Sequence, residues 1–159
     1  MMRAMPVPEF LAALRRKIGN DRVLMPAVAG VIRRDDGRVL VMRRADTGEW
    51  SFVSGICEPH EAPADTMVRE ALEETGLEIR CDRLLCLYHT PDLRYPNGDV
   101  ACYVSALFEC SVLGGELETR DGEALELRFV ETDELPPIRL LDWLPAPLPE
   151  LFAADQTRF

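Results

Sequence analysis

The sequence predicts a single α/β (α+β) domain, and two observations support this fold class. Several runs rich in Val, Ile and Leu have the composition of strands, while other segments have the periodicity of amphipathic helices. The 159 residues, of which 47% are hydrophobic and 29% charged, suffice for one domain with a core and are too few for two domains of ordinary size. The sequence contains no internal repeat.

The first elements are a helix and a strand hairpin. Residues 8–18 have an apolar stripe at helical spacing and basic residues in the last turn, and Gly19 can end the helix. We expect this helix to pack on the domain or on a second subunit. Residues 27–33 and 38–43 are strand-like, and the Asp-Asp-Gly at residues 35–37 between them is typical of a hairpin turn.

Residues 55–77 organise the rest of the chain. They begin with a glycine loop after a strand-like run and continue as a helix, in which Pro63 suits the first turn and Gly76 can close the last. The apolar side chains on one side of this helix are expected to be buried against a sheet. They are Val68, Ala71 and Leu72.

Three carboxylates, Glu70, Glu73 and Glu74, lie within about 100° of arc on the other face of this helix. Carboxylates this close repel one another unless a cation lies among them. An all-oxygen site suits a hard divalent cation, so we expect Mg²⁺ or Mn²⁺ here. The charge distribution agrees, because residues 55–77 contain six acids and one arginine in a chain of net charge −10.

The second half of the sequence predicts further strands separated by loops. The strand-like runs are residues 78–80, 84–88, 100–110 and 125–130. Residues 90–99 have the composition of a loop, Gly114-Gly115 is typical of a turn, and residues 148–159 favour a short helix. Helices and strands therefore alternate along one continuous domain.

Cysteine usage and hydropathy indicate the compartment and exclude some partners. The cysteines (Cys57, Cys81, Cys86, Cys102 and Cys110) are odd in number and form no CxxC pair, and no apolar run is long enough to span a bilayer. We therefore expect a reduced, cytoplasmic protein with no membrane partner, whose cysteines belong to the core. The net charge of −10 would repel a long nucleic acid, whereas a small phosphorylated ligand can bind if metal neutralises it.

The stretch from Gly55 to Leu77 resembles the Nudix box of the Nudix (MutT-like) hydrolases. The matching residues, at every spacing of the motif, are Gly55, Glu61, Arg69, Glu70, Glu73, Glu74, Gly76 and Leu77. The departures are Ala71 in place of a larger aliphatic, His60 at a position often held by glycine, and Val53-Ser54-Gly55-Ile56 in place of a proline and paired glycines. These departures concern the loop more than the helix carboxylates.

The resemblance implies a fold, a domain division and a reaction. The fold is the Nudix-type α/β/α sandwich with a mixed sheet, in one domain at residues 27–136. It follows an N-terminal helix and lead-in (1–26) and precedes a proline-rich C-terminal segment with a short helix (137–159) that packs on it. The reaction is metal-dependent hydrolysis, in which water attacks phosphorus in the diphosphate linkage of a nucleoside diphosphate derivative. Nucleoside triphosphates, ADP-ribose and dinucleoside polyphosphates remain open as substrates.

The resemblance also implies roles for the acidic residues and for Arg69. Glu70 and Glu74 are expected to share the metal, Glu73 completes its shell or takes the proton of the attacking water, and Arg69 pairs with Glu61 or Glu73 to orient the site. The catalytic residues are then Glu73, Glu70 and Arg69. The metal ligands are the Ser54 carbonyl, Glu70, Glu73, Glu74 and Glu123, with Glu126 as an alternative to Glu123.

On the substrate side, the resemblance assigns Arg44 to a phosphate and offers Trp50 and Tyr95 as aromatic faces. Each has a structural alternative: a solvated strand end, a core tryptophan and an exposed loop tyrosine. Two other functions stay open on the same fold, a catalytically silent nucleotide-sensing module and a prenyl diphosphate isomerase, for which Cys57 is the cysteine within the box. The expected partner is a small nucleotide, and a homodimer is one option.

Overall fold

A mixed, eight-stranded sheet forms the centre of the computed structural model, which describes residues 7–159. Within this range the strands are β1 (Val23–Arg33), β2 (Val39–Arg44), β3 (Trp50–Ser51), β4 (Val53–Ile56), β5 (Leu77–His89), β6 (Leu93–Arg94), β7 (Val100–Gly115) and β8 (Ala124–Val130). The helices are α1 (Glu9–Ile18), α2 (Pro63–Thr75) and α3 (Leu148–Ala153), with short 3-10 turns at Thr132–Glu134 and Arg139–Trp143. The expected α/β fold class with a mixed sheet is confirmed.

Strand β1 connects the two halves of the sheet. It pairs in parallel with β7 along its whole length, from Val23 opposite Ala101 to Arg33 opposite Ser111. On its other side it pairs antiparallel with β4 through residues 27–30 and with β2 only at its end, where Arg33 lies opposite Val39. Strands β2 and β4 therefore border different parts of the same side of β1. The loop that follows β4 leads directly into α2.

Two apolar layers cover the two faces of this sheet. Helix α2 packs on one face, where Met67 and Ala71 join Val28, Ile32 and Ile79 in a buried cluster. Helix α3 and the turns before it cover the other face; that cluster includes Val31, Val41, Phe52, Leu107 and Leu151. Helix α1 adds a smaller cluster through Leu11, Met25 and Tyr103. No helix among residues 7–159 is long and apolar enough to cross a membrane.

The buried face of α2 differs from the predicted one. Ala71 is fully buried as expected, but Val68 and Leu72 are 37% and 41% exposed. The side chains that face the sheet are instead Met67, Ala71 and Glu74, which are spaced by four and three residues. The helix is therefore rotated so that one of the three carboxylates enters the interior while apolar side chains stay outside.

The local turn and cap signals are confirmed. Helix α1 ends at Gly19, the first hairpin turns at Gly37 with a φ of 87°, and α2 closes at Gly76 with a φ of 74°. Each of these backbone conformations favours glycine, because a Cβ atom would clash with the neighbouring backbone.

The strand bounds in the second half were predicted less well. Residues 78–80 and 84–88 belong to the single strand β5, whose register shifts at three places and breaks the alternation of buried side chains. The predicted turn at Gly114-Gly115 is wrong, because both residues continue β7 opposite Glu78 and Leu77. The expected loop at 90–99 also contains the short strand β6.

An arginine in β5 fastens the C-terminal helix to the sheet. Arg83 donates from Nη1 to the carbonyl of Ala154 at 2.7 Å and from Nη2 to that of Phe152 at 2.7 Å. Glu109 of β7 holds this guanidinium at 2.7 Å and also pairs with Arg33 at 3.0 Å. These charge-assisted bonds satisfy carbonyls at the end of α3 that the helix itself leaves open.

Replacing Arg83 with Ala should therefore loosen the C-terminal helix. We expect a loss of roughly 1–2 kcal/mol in the free energy of unfolding, since carbonyls lose their donor, and faster hydrogen exchange confined to residues 148–158. Arg80→Ala is the matched control, because Arg80 lies in the same strand and pairs with Asp82 at the surface. Equal effects of the two substitutions on unfolding and exchange would contradict this role of Arg83.

Candidate functional site

A glycine in β4 allows Glu70, the first of the three clustered glutamates of α2, to lie against the sheet. Gly55 is in register with Val28 of β1. A Cβ atom at Gly55 would lie 2.2 Å from both Cδ and Oε1 of Glu70, so any larger residue there would displace this carboxylate. Ser54, whose carbonyl is the predicted backbone ligand, precedes this contact in β4 opposite Ala29.

The guanidinium of Arg69 holds three carboxylates. It donates to both oxygens of Glu61, from Nε at 2.8 Å and from Nη2 at 3.0 Å. Its Nη1 donates to Glu70 at 2.9 Å and to Glu73 at 3.1 Å. The expected partners Glu61 and Glu73 are thus both in contact with Arg69, and Glu70 is a third.

Glu61 is the acceptor that joins the loop to the helix. Besides the two bonds from Arg69, its Oε2 accepts from the hydroxyl of Thr66 at 2.7 Å. The bonds from Arg69 first, and then that from Thr66, lower the pKa of Glu61 to about 2 in spite of its burial. Glu61 is consequently ionised at any physiological pH, and it keeps the loop closed against the first turns of α2.

Glu74 is buried with one of its carboxylate oxygens unsatisfied. Its side chain is 1% exposed, and within residues 7–159 its Oε2 accepts no hydrogen bond. Burial first, and then the charges of Glu70 and Glu123, raise the pKa of Glu74 well above its usual value. A buried acceptor of this kind is costly unless an ion or a proton satisfies it.

Glu70 and Glu123 share this environment. Burial raises the pKa of Glu70 to about 7, even though Arg69 opposes the shift. Burial also raises the pKa of Glu123, with Asp121 adding to the effect. Glu123 is held near the end of β2, because the amide of Ala45 donates to its carbonyl at 2.7 Å. The charge of Glu123 raises the pKa of both Glu70 and Glu74, so the three acids form one electrostatically linked group, whose raised pKa values Arg69 and Arg44 oppose.

The donor set fits a hard divalent cation. Every candidate ligand is an oxygen, and the orphaned Oε2 of Glu74 is an acceptor that such an ion would satisfy. In the described part of the chain, no three acidic, histidine or cysteine side chains are close enough together to hold an ion in their present rotamers. Glu70 and Glu73 are turned onto Arg69, so a cation that takes them must compete with that guanidinium.

Arg44 lies beside this acidic group. Its guanidinium donates to Asp46 from Nε at 2.9 Å and from Nη2 at 2.6 Å. The positive charge of Arg44 opposes the rise in pKa of both Glu74 and Glu123, which places Arg44 within electrostatic reach of the two carboxylates. The bidentate partner Asp46 was not predicted, although its spacing of two residues from Arg44 after a strand was visible in the sequence.

The two candidate aromatics lie in different places. Tyr95 is 39% exposed, and its hydroxyl hydrogen-bonds that of Tyr103 at 2.7 Å. Burial and this bond raise the pKa of Tyr103, and the positive charges of Arg15 and Arg44 oppose that rise. Tyr95 is therefore joined through Tyr103 to the neighbourhood of Arg44. Tyr103 was missed, because only the fold brings its hydroxyl to the loop.

Trp50 lies on the opposite side of the sheet. It is in register with Arg43 rather than Arg44, and consecutive residues of a strand point to opposite faces. The ring of Trp50 packs against the cluster under α3. The guanidinium of Arg128 lies over this ring, 4.6 Å from the ring centroid. The structure thus does not bring Trp50 together with the carboxylates.

Comparisons with known proteins agree on one family. A model described as the NUDIX domain matches residues 23–152. A MutT-like protein of Streptomyces ambofaciens is 33% identical over 136 residues, which cover 81% of this chain and 82% of that protein. An ADP-ribose pyrophosphatase of Methanocaldococcus jannaschii is 38% identical over 117 residues, which cover 71% of this chain and 66% of the relative.

A solved structure shows the same fold. The ADP-ribose pyrophosphatase of Streptococcus suis superposes with a TM-score of 0.64 at 24% identity, over 85% of this chain and 98% of that one. At this identity, the superposition bears on the fold alone. It agrees with a mixed sheet between helices.

The raised carboxyl pKa values predict how stability depends on pH without metal. Glu70 keeps its proton up to about pH 7 in the folded protein, whereas the unfolded chain loses it near 4.5. The folded state binds more protons across this window, so the free energy of unfolding should fall as pH rises through it. Glu61 has the opposite effect on the free energy of unfolding, which rises with pH because of it. That effect is confined to the range between its lowered pKa of about 2 and the value of 4.5 in the unfolded chain.

Chemical denaturation of chelator-treated protein from about pH 5 to pH 8 measures this slope. Glu70→Gln should flatten it, because the variant has no proton to lose at that position. Glu150→Gln, an exposed change in α3, is the control and should keep the wild-type slope. A wild-type protein whose stability rises or stays level across the window would show that the cluster is not desolvated as described.

Proposed function

Because the chain belongs to the Nudix family and is a Nudix pyrophosphohydrolase, we propose that it hydrolyses the diphosphate linkage of a nucleoside diphosphate derivative, with ADP-ribose as the first candidate. The observation that carries this proposal is the buried carboxylate of Glu74, whose Oε2 accepts no hydrogen bond within residues 7–159, in a chain with a complete set of box acids. The name of the relative from M. jannaschii supports ADP-ribose. Nucleoside triphosphates and dinucleoside polyphosphates remain competitors.

The metal in this proposal is Mg²⁺ or Mn²⁺. The ligands proposed are Glu70, Glu73 and Glu74, with Glu123 and the Ser54 carbonyl completing the set. When bound, a divalent cation neutralises the diphosphate oxygens and acidifies a water molecule. The raised pKa values of Glu70 and Glu74 support this assignment, because burial outweighs the opposing charges of Arg69 and Arg44, and a bound cation would favour the ionised carboxylates.

The side chains of the box divide the work between positioning and proton transfer. Arg69 keeps Glu61, Glu70 and Glu73 in one arrangement through four donated bonds. Glu73 is the carboxylate of the three with its side chain half exposed, so we assign it the proton of the attacking water, with Glu70 as the alternative base. Water then attacks phosphorus, and the bridging P–O bond breaks.

The alternative isomerase reaction has little support in this geometry. It requires a reactive cysteine and an acid in a hydrophobic cleft that the substrate can enter, and Cys57 is 8% exposed and packed in the buried cluster under α2. A silent nucleotide sensor would be expected to lack one of the box acids, and all of them are present. Product analysis separates the three functions, because hydrolysis yields phosphomonoesters, sensing yields no product and isomerisation yields an isomer.

The first test is turnover of a nucleotide panel by the wild type and by Glu74→Gln. We expect hydrolysis with Mg²⁺ or Mn²⁺, and a loss on the order of 10²–10³ in kcat for the variant, comparable to other deletions of electrostatic stabilisation. Glu58→Gln is the control, because Glu58 is an exposed acid of the loop that leads into α2. Near-normal turnover of Glu74→Gln at saturating metal would contradict its role as a ligand.

A thermal melt separates metal binding from catalysis in the same variants. Millimolar Mg²⁺ or Mn²⁺ should raise the Tm of the wild type, because an ion that binds only the folded state stabilises it. The increase should disappear in Glu74→Gln and persist in Glu58→Gln. A wild-type Tm that does not respond to either ion would count against a preformed cation site.

The second test concerns the substrate side. We assign Arg44 to a substrate phosphate and the ring of Tyr95 to the base or the leaving group. Arg44→Ala should weaken the binding of all nucleotides by a similar factor. Tyr95→Ala should instead change the order of preference among them, because it removes a stacking free energy of about 1–3 kcal/mol per base. Apparent KM and kcat for a triphosphate, ADP-ribose and a dinucleoside polyphosphate give the comparison.

Tyr95→Phe is the control for this assignment. It keeps the aromatic face and removes only the hydroxyl that bonds Tyr103. We expect it to retain the wild-type order of substrates. If Tyr95→Ala also retains that order, Tyr95 has no part in the choice of substrate.

A further inference from the structure

Two cysteines face each other across the β5–β7 ladder beneath α2. Cys81 and Cys110 are directly opposed in register, and their sulfurs are 3.8 Å apart. Opposed residues of an antiparallel pair have Cα atoms about 4.5 or 5.5 Å apart, and a disulfide spans about 4.4–6.8 Å between Cα atoms. The backbone therefore already holds these two thiols at a spacing that a disulfide can bridge.

The two thiols have different surroundings. Cys110 is fully buried, whereas Cys81 is partly exposed. The S–H of Cys110 donates to the sulfur of Cys81, which in turn donates to the carbonyl of Ala64 at 3.7 Å. The bond from Cys110 lowers the pKa of Cys81, although the carboxylates of Asp82 and Asp65 oppose this shift. Cys81 is thus the more reachable and the more readily ionised thiol.

This pair is distinct from the other cysteines. No second pair of sulfurs lies within hydrogen-bond distance among residues 7–159. Cys57 and Cys86 are buried, and Cys102 is a partly exposed thiol of β7 that contacts the carbonyl of Val23. Reaction at Cys102 would therefore lead to a single oxidised thiol, whereas Cys81 has a second thiol in contact.

We propose that Cys81 and Cys110 form a redox modification site, at which a peroxide converts the two thiols to a disulfide. The sulfur of Cys81 attacks the peroxide, the O–O bond breaks, and Cys81 becomes a sulfenic acid as one water leaves. The sulfur of Cys110 then attacks that of Cys81; the S–S bond forms, the S–O bond breaks, and a second water leaves with the proton of Cys110. The two thiols lose two electrons and two protons, and hydrogen peroxide is reduced to two waters.

The site lies in the layer that supports α2. Ala64, which accepts the S–H of Cys81, is in the first turn of that helix. Cys110 and Met67 both approach Gly30, since a Cβ atom there would lie 3.5 Å from the sulfur of Cys110 and 2.8 Å from that of Met67. Oxidation removes the donor to Ala64 and closes a loop from residue 81 to residue 110, which restricts the unfolded chain.

The experiment treats the reduced protein with hydrogen peroxide, unfolds it in denaturant, and alkylates the remaining thiols before mass spectrometry. We expect two of the five thiols to be lost and a single linked peptide pair that contains Cys81 and Cys110. Dithiothreitol should restore both thiols. The oxidised protein should melt on the order of 5–10 °C higher than the reduced one, because the cross-link lowers the entropy of the unfolded state.

Single variants test the order of the two steps. In Cys110→Ser the disulfide cannot form, so dimedone should capture a sulfenic acid at Cys81. Cys102→Ser is the matched control, because it removes another partly exposed thiol of β7 and should form the Cys81–Cys110 disulfide as the wild type does. If Cys110→Ser does not fold, the peptide map of the wild type still decides the proposal.

Three results would overturn the proposal. The first is five alkylatable thiols after the treatment, and the second is a disulfide that involves Cys57, Cys86 or Cys102. The third is a sulfinic acid at Cys81 with Cys110 still reduced, because it would show that the partner thiol does not react in time.

Discussion

The arrangement of the site depends on one guanidinium. Arg69 connects Glu61 of the loop with Glu70 and Glu73 of the helix, so the loop after β4 and the surface of α2 are held as one unit. Its planar group presents donors in several directions at once, which a lysine ammonium at the end of a flexible stem does not reproduce. With its side chain 28% exposed, it works where water only partly screens the charges.

In the same region, the burial of a carboxylate lowers the stability of the fold. Glu74 is buried on the same side of α2 as Met67 and Ala71, at a position where an apolar residue would add to the core. Its burial is offset by the apolar contacts of α2 on the sheet, and in the proposed function its orphaned oxygen would bind the cation. Function and stability therefore place different demands on one turn of one helix.

Much of the fold follows from local signals in the sequence. The bounds of α1 and α2 and the first hairpin were predictable, because glycines, a proline and apolar periodicity act over a few residues. The rotation of α2 was not, since a helical wheel places Val68 and Leu72 inside and Glu74 outside. Hydrophobicity alone cannot indicate that a carboxylate will be buried for its chemistry.

The site was predictable in its acids and less so in its surroundings. The spacing of Glu70, Glu73 and Glu74 identified the cluster, but the separation of Trp50 from it depends on which residue of β2 lies opposite. That register is set by sheet pairing, which one-dimensional patterns do not contain. Tyr103 and the contact of Glu70 with Gly55 likewise arise from residues that are distant in the chain.

The parallel pairing of β1 with β7 has a consequence for biosynthesis. Val23 finds its partner Ala101 only about 80 residues later in the chain, and contacts of such high sequence separation form slowly. As the chain leaves the ribosome, β1, β4 and α2 emerge well before the strand that completes one side of their sheet. The carboxylates of α2 are then synthesised early, but their site is assembled only after β7 has been made. Until then the edge of β1 is unpaired, and chaperones can bind this exposed edge.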